Sequence, residues 1–117
     1  MKLRELADLL EAEVICGEQH LDEKFECAGA SDLMSDVLAF GESGIVLLTG
    51  LANTQSIQTA EIIEAKAVVY VRGKKPNKEG ISLAEKRNIL ILSTKFFMYK
   101  ACGLLYSKGI VGVRHLK

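Results

Sequence analysis

Three uninterrupted runs of apolar residues lie between the middle and the end of the chain's alternating pattern, at residues 45–48, 67–71 and 89–92. Strands that are covered on both faces, as in a parallel sheet between helices, have this continuous apolar character. Between the runs, the apolar residues have helical spacing. One predicted helix extends to about Lys66, and another contains Ile81 and Ala84. Because strands that alternate with helices require crossover connections, the pattern predicts parallel strands with helices on both faces.

The first thirty residues carry weaker signals of the same kind. Leu3, Leu6 and Leu10 fall on one face of a predicted N-terminal helix. A short strand follows at residues 13–16, and a second strand candidate at residues 25–30 is rich in small side chains. Small residues in a strand favour the close approach of a neighbouring backbone.

Polar residues stand where the helices are expected to begin. Ser31 and Asp32 precede one helix, and Ser93 and Thr94 precede the last one. A hydroxyl or carboxylate in that position commonly accepts a hydrogen bond from the free amides of the first turn, so we expect both pairs to be N-caps. Pro76 suits the first turn of the helix between them.

These elements predict an α/β fold, specifically a three-layer α/β/α sandwich with a mainly parallel sheet. A chain of 117 residues has room for one core, so we expect a single domain over residues 1–117.

Charge and hydropathy limit the partners. Lys and Arg number 15, as do Asp and Glu, so no basic excess exists for binding nucleic acid. No apolar run reaches the length of roughly 20 residues that crosses a membrane. The amphipathic start does not resemble a secretory signal, and we expect a cytoplasmic protein.

The three cysteines, Cys16, Cys27 and Cys102, lie among apolar neighbours, and no two have C-x-x-C spacing. They are expected to be buried, reduced thiols. His20 and His115 are far apart in the sequence, so no metal site is predicted. We expect His20 to be solvated in a polar turn.

A candidate ligand site follows from the topology, because ligands of open parallel sheets bind beyond the carboxyl ends of the strands. Hydroxyls, free amides and two cations at those ends suit a small anionic or nucleotide-like ligand. The predicted lining residues are Ser31, Asp32, Thr49, Gly50, Asn53, Arg72, Gly73, Ser93, Thr94 and Lys95. The alternative interpretation is that these residues only cap helices and form turns.

Catalytic signatures are absent from the sequence. Residues 49–54 lack the Lys-Ser/Thr pair of a P-loop, and no G-x-G-x-x-G or G-x-S-x-G motif is present. Asp32 and Asp36 are four residues apart on one predicted helix, as surface carboxylates commonly are. We therefore expect no catalytic residues and no cofactor, and keep a small enzyme acting on a phosphorylated metabolite as the alternative.

Four bulky residues in succession, Phe96 to Tyr99, begin the last helix. Its predicted core face comprises Phe96, Phe97, Ala101, Leu104 and Leu105. One face cannot bury all four bulky residues, so Met98 or Tyr99 is expected to cover a partner, and a homodimer is predicted. The alternative is that both sides of this helix are covered within the chain.

Several segments together resemble the DRTGG domain family. Residues 30–38, A-S-D-L-M-S-D-V-L, are similar to that family's A-S-D-L-L-S-D-V block. Further matching segments are L-T-G at 48–50, V-R-G-K-K-P at 71–76, L-A-E at 83–85 and I-L-S-T-K at 91–95. The resemblance extends from about Leu3 to Ile110, although the contiguous letters D-R-T-G-G do not occur.

The resemblance implies a regulatory or dimer-forming module. DRTGG domains have no established catalytic activity, and they occur beside CBS domains in regulated pyrophosphatases. They are also similar to the non-kinase domain of HPr kinase/phosphorylase. Because no P-loop kinase half and no CBS segment is present here, neither kinase activity nor the CBS nucleotide sites are expected.

Overall fold

The computed structural model describes residues 1–113, which form one six-stranded sheet with helices on both faces. The strands are β1 Glu13–Cys16, β2 Cys27–Ala30, β3 Val46–Thr49, β4 Ala67–Tyr70, β5 Leu90–Ser93 and β6 Val111–Gly112. The helices are α1 Leu3–Leu9, α2 Met34–Phe40, α3 Thr54–Ile62, α4 Lys78–Lys86 and α5 Met98–Ser107. Across the sheet the strand order is β1-β5-β4-β3-β2-β6.

The sheet is parallel from β5 across to β6, with β1 added antiparallel on the edge beside β5. Glu13 of β1 lies opposite Ser93 of β5, and the register then shifts before Cys16. The four strands β2 to β5 therefore end at one edge of the sheet, which is the edge that the predicted ligand site requires.

Alternate side chains of the central strands separate two cores. Val46, Leu48 and Val69 pack with α1 and α5 on one face. Leu47 and Val68 point to the other face, where α2, α3 and α4 cover them. The α/β/α sandwich with a mainly parallel sheet is thus confirmed, and the uninterrupted apolar runs are explained by burial on both faces.

Two predicted helix caps are wrong. The N-cap of α2 is Leu33 and that of α5 is Phe97, and neither cap makes a side-chain hydrogen bond. The loops after β2 and β5 are longer than expected, so the polar pairs at residues 31–32 and 93–94 precede the helix starts and bond elsewhere. Pro76 likewise lies outside α4, whose N-cap is Asn77.

Four further expectations are corrected, three by the burial of side chains and one by the length of a helix. Cys16 is buried, but Cys27 and Cys102 are only partly so, and all three thiols are free. Phe97 is 69% exposed rather than part of the core face, because it precedes the first turn of α5. His20 is partly buried in a 3₁₀ turn rather than solvated. The helix α3 ends at Ile62, short of residue 66.

The sequence from Val111 to Lys117 shows weak strand alternation and predicts no definite place in the sheet. Residues 111–112 form β6, which pairs in parallel with β2. His115 lies outside the described residues. Within residues 1–113, no helix is long and apolar enough to cross a membrane.

Candidate functional site

The loops that follow β2, β3, β4 and β5 lie side by side at the carboxyl edge of the sheet. Backbone bonds join the loops after β4 and β5, since Arg72 N donates to Phe96 O at 2.9 Å and Gly73 N donates to Thr94 O at 2.8 Å. Side-chain bonds from Asp32 join the loops after β2 and β3. The candidate residues are therefore on one side of the molecule, as the topology predicts.

Asp32 holds the loop after β3 in place. Its Oδ1 atom accepts a hydrogen bond from Gly50 N at 2.6 Å and another from the Thr49 hydroxyl at 3.1 Å. Thr49 is buried and its Oγ1 also accepts from Leu51 N, so its hydroxyl is fully used inside the protein. Asp32 itself is exposed, and its Oδ2 bonds to no other residue in the described range.

Arg72 lies over Gly50. A methyl group on Gly50 would overlap Arg72 Nη2 and would lie 3.3 Å from Asp32 Oδ1. Arg72 has a left-handed backbone with φ +60° and Gly73 follows with φ +68°, an arrangement that turns the chain away from β4. The guanidinium is exposed and makes no hydrogen bond or ion pair with any residue from 1 to 113.

Ser93 and Thr94 direct their hydroxyls into the protein. Ser93 Oγ donates to Lys74 O at 2.7 Å, and Thr94 Oγ1 donates to Leu10 O at 2.7 Å. Thr94 Oγ1 also accepts from Phe96 N at 3.1 Å. These two residues fasten the loop after β5 to the loop after β4 and to the end of α1, so they support the edge and leave no free hydroxyl there.

The remaining candidates divide into turn residues and a free cation. Ser31 Oγ accepts from Leu33 N at 3.0 Å within its own turn. Asn53 is the N-cap of α3, and its side chain accepts from Ser56 N at 2.9 Å. Lys95 is exposed and has no ion pair or hydrogen bond within the described part of the chain.

Most of the ten predicted residues already use their polar side-chain atoms within the protein, so a smaller group remains that could contact a ligand. Asp32, Arg72 and Lys95 present free polar atoms to solvent, and Gly50 provides the space that Arg72 occupies. This group can bind a ligand by charge and hydrogen bonds. Residues 1–113 hold no cluster of three His, Cys, Asp or Glu side chains that suits a metal ion.

A separate apolar hollow of about 230 Å³ lies between α2 and the sheet. Of the predicted residues it touches Ser31, and its other walls include Gly29, Val37, Phe40 and Leu47. Arg72 and Gly50 do not line it. The polar site is an open surface at the edge of the sheet, whereas the hollow is a gap beside a strand of small side chains.

A second polar cluster, away from the strand ends, was not predicted from the sequence. His20 Nδ1 bonds to a carboxylate oxygen of Glu23, whose other oxygen accepts from Lys66 Nζ at 3.1 Å. The hydrogen bond with His20, and secondarily the one with Lys66, lowers the pKa of Glu23. The three-residue spacing of His20 and Glu23 was visible in the sequence, but the approach of Lys66 was not.

Comparisons with known proteins address the fold. No family model and no curated protein matches the chain. A crystal structure of the CBS and DRTGG domains of the regulatory region of Clostridium perfringens pyrophosphatase, complexed with the activator diadenosine tetraphosphate, matches with a TM-score of 0.74 and 22% identity. The match covers 89% of this chain and 45% of that one, so this chain spans less than half the length of its neighbour. The chain therefore has a DRTGG-like α/β fold.

Proposed function

We propose that this protein is a non-catalytic regulatory module of the DRTGG family that binds a small anionic or nucleotide-like ligand at the strand-end edge. The observation that carries the proposal is the Arg72 guanidinium, which lies on the Cβ-free face of Gly50 without a partner among residues 1–113. Lys95 adds a second free cation on the neighbouring loop.

Physical chemistry supports an anion as the ligand. A guanidinium offers five donors in a planar fork that matches phosphate and carboxylate oxygens. Placing Arg72 in a left-handed conformation costs on the order of 1 kcal/mol, and the two bonds from residues 72 and 73 to the loop after β5 offset this cost. The structural neighbour, a regulatory region in complex with a dinucleotide activator, is consistent with this class of ligand.

The experiment is a calorimetric titration with glycerol 3-phosphate. Arg72→Ala should fold normally and lose about 1.5–3 kcal/mol of binding free energy, the range for a hydrogen bond to a charged group. Arg87→Ala is the matched control, because Arg87 is paired with Glu61 at 3.2 Å. Equal affinity of the Arg72→Ala and wild-type proteins would contradict the site. Turnover of the ligand would instead favour the alternative, an enzyme acting on a phosphorylated metabolite.

We also propose that the protein is a homodimer that associates through the exposed aromatic side of α5. Tyr99 and Tyr106 are 92% and 78% exposed and are separated by two helical turns, so they lie on one face. Phe97, at the start of the same helix, is 69% exposed. A second copy of the chain would remove these rings from water.

Light scattering tests the dimer. The double variant Tyr99→Asp/Tyr106→Asp should give the mass of a monomer at concentrations where the wild type is dimeric. Ile62→Asp is the control, because Ile62 is 67% exposed on α3 at the opposite face of the sheet. A monomeric wild type, or dissociation caused equally by Ile62→Asp, would rule out this surface.

Two further expectations remain proposals. We propose that residues 1–113 belong to one folding unit that covers the 117-residue sequence, and limited proteolysis should leave one resistant core. We propose a cytoplasmic location, in keeping with thiols that stay reduced. Burial raises the pKa of Cys16, Cys27 and Cys102, so each thiol should react slowly with an alkylating reagent at neutral pH.

A further inference from the structure

The strand-end site contains two opposite charges that do not pair with each other. Arg72 Nη2 and Asp32 Oδ1 both flank the point at which a Cβ of Gly50 would stand. They form no ion pair within residues 1–113, but both lie within 3.3 Å of that point, so one small molecule can contact both.

The two groups are held in place by different bonds. Asp32 is fixed by the two hydrogen bonds to its Oδ1 from Gly50 and Thr49, which leaves Oδ2 as a free acceptor. Arg72 is fixed through its backbone by Phe96. Its guanidinium donors remain unused within the described chain. The site therefore offers a fixed acceptor beside unused donors on an exposed side chain whose backbone is anchored at the same edge.

A ligand that carries only an anionic group can bond to Arg72 but not to Asp32. Phosphate would accept hydrogen bonds from Arg72, but the carboxylate of Asp32 would repel it. A ligand that carries a hydroxyl next to its phosphate would bond to both groups, because the hydroxyl donates to Asp32 Oδ2. Resting on the proposed anion site, we infer that the ligand is a phosphorylated polyol or sugar, free or as part of a nucleotide, and that Asp32 recognises its hydroxyl.

The test compares two ligands that differ in hydroxyl groups, glycerol 3-phosphate and propyl phosphate. The wild-type protein should bind glycerol 3-phosphate about tenfold more tightly, the effect of one hydrogen bond to a charged group. This comparison needs no variant, so it stands even if a substitution disturbs folding. Equal affinity for the two ligands would overturn the inference.

The variant Asp32→Asn distinguishes recognition of a ligand hydroxyl from support of the loop after β3. An asparagine amide oxygen can still accept from Gly50 and Thr49, but its NH₂ group cannot accept a ligand hydroxyl. Loss of the negative charge relieves the repulsion of both phosphates, whereas only glycerol 3-phosphate loses a hydrogen bond to a charged acceptor. The variant should therefore lose most of the roughly tenfold preference for glycerol 3-phosphate over propyl phosphate. An unchanged preference would show that Asp32 only holds the loop, and would overturn the inference.

Failure of the inference and failure of the proposed function give different results. If Arg72→Ala weakens both ligands while neither is preferred by the wild type, the anion site stands and hydroxyl recognition is wrong. If Arg72→Ala changes neither affinity, the anion site itself is wrong. Adenosine 5′-monophosphate is the third ligand. Binding at least about tenfold tighter than glycerol 3-phosphate supports the inference with a nucleotide as the source of the sugar phosphate, provided that Asp32→Asn also lowers its affinity relative to that of propyl phosphate.

Discussion

The substitution Gly50→Ala should weaken ligand binding while changing the free energy of unfolding only slightly. Gly50 does not have a positive φ, so an alanine backbone is acceptable there. The new methyl group would overlap the end of the Arg72 side chain, which is flexible and exposed, and would lie 3.3 Å from Asp32 Oδ1. The guanidinium should move away from the site without disturbing the sheet.

The magnitudes follow from these contacts. Replacing glycine by alanine at a compatible position stabilises a protein by about 0.4–1 kcal/mol through the unfolded state. A small shift of Asp32 offsets part of that gain, so the free energy of unfolding should change by less than about 1 kcal/mol. Binding should weaken by about 1.5–3 kcal/mol, because the charged hydrogen bonds of Arg72 are displaced.

Urea unfolding followed by circular dichroism measures the first quantity, and calorimetry with glycerol 3-phosphate measures the second. Gly103→Ala is the control, since a methyl group there meets no atom within 4 Å. It lies inside α5 on the face proposed for dimerisation, so its stability is measured at a dilution where the protein is monomeric. There it should stabilise by about 0.5–1 kcal/mol without affecting binding. Wild-type affinity in Gly50→Ala would refute the reasoning that the missing side chain of Gly50 positions Arg72.

Two other substitutions probe the frame around the site. Gly17→Ala should lower the free energy of unfolding by more than about 2 kcal/mol. The reason is that Gly17 has φ +88° and an added Cβ would lie 2.5 Å from the Cα of Leu90. A loss below about 1 kcal/mol in urea unfolding would contradict this. Glu23→Gln should destabilise the protein slightly at neutral pH, by less than about 1 kcal/mol because the group is partly exposed. The hydrogen bond with His20 lowers the pKa of Glu23, so its contribution is present above the ordinary glutamate pKa and is lost as the pH falls through the lowered value. The two proteins should therefore converge in stability once the pH falls below the lowered pKa of Glu23, and a difference that persists across the acid range would exclude Glu23 as the cause.

The central strands could be predicted from the sequence because their environment is uniform. The strands β3, β4 and β5 are buried on both faces, and a continuous apolar run of four or five residues is typical of that environment. The direction of β1 could not be predicted. Glu13 is exposed and only Cys16 is fully buried, and nothing local distinguishes a parallel edge strand from an antiparallel one.

The sequence could predict that the loops of the candidate site lie together, but not which bonds their residues form. Helix-cap chemistry is local, whereas the bonds that Asp32 and Thr94 actually make reach residues 18 and 84 positions away. Gly50 is one of the predicted lining residues, but the side chain of Arg72 occupies the space beside it. The sequence could therefore place the loops through the strand order of a parallel sheet, while the contacts between loops depended on tertiary packing.

The antiparallel strand β1 has a consequence for folding. Its partner is β5, and the Thr94 hydroxyl just beyond β5 binds the carbonyl of Leu10 from 84 residues away. Contacts between such distant residues form late, since a long loop must close before they contribute any stability. A chain leaving the ribosome therefore carries β1 as an unpaired strand until β5 has been made. During that interval its free backbone is open to pairing with other chains, which makes this N-terminal strand the part of the sheet most exposed to misassembly during synthesis.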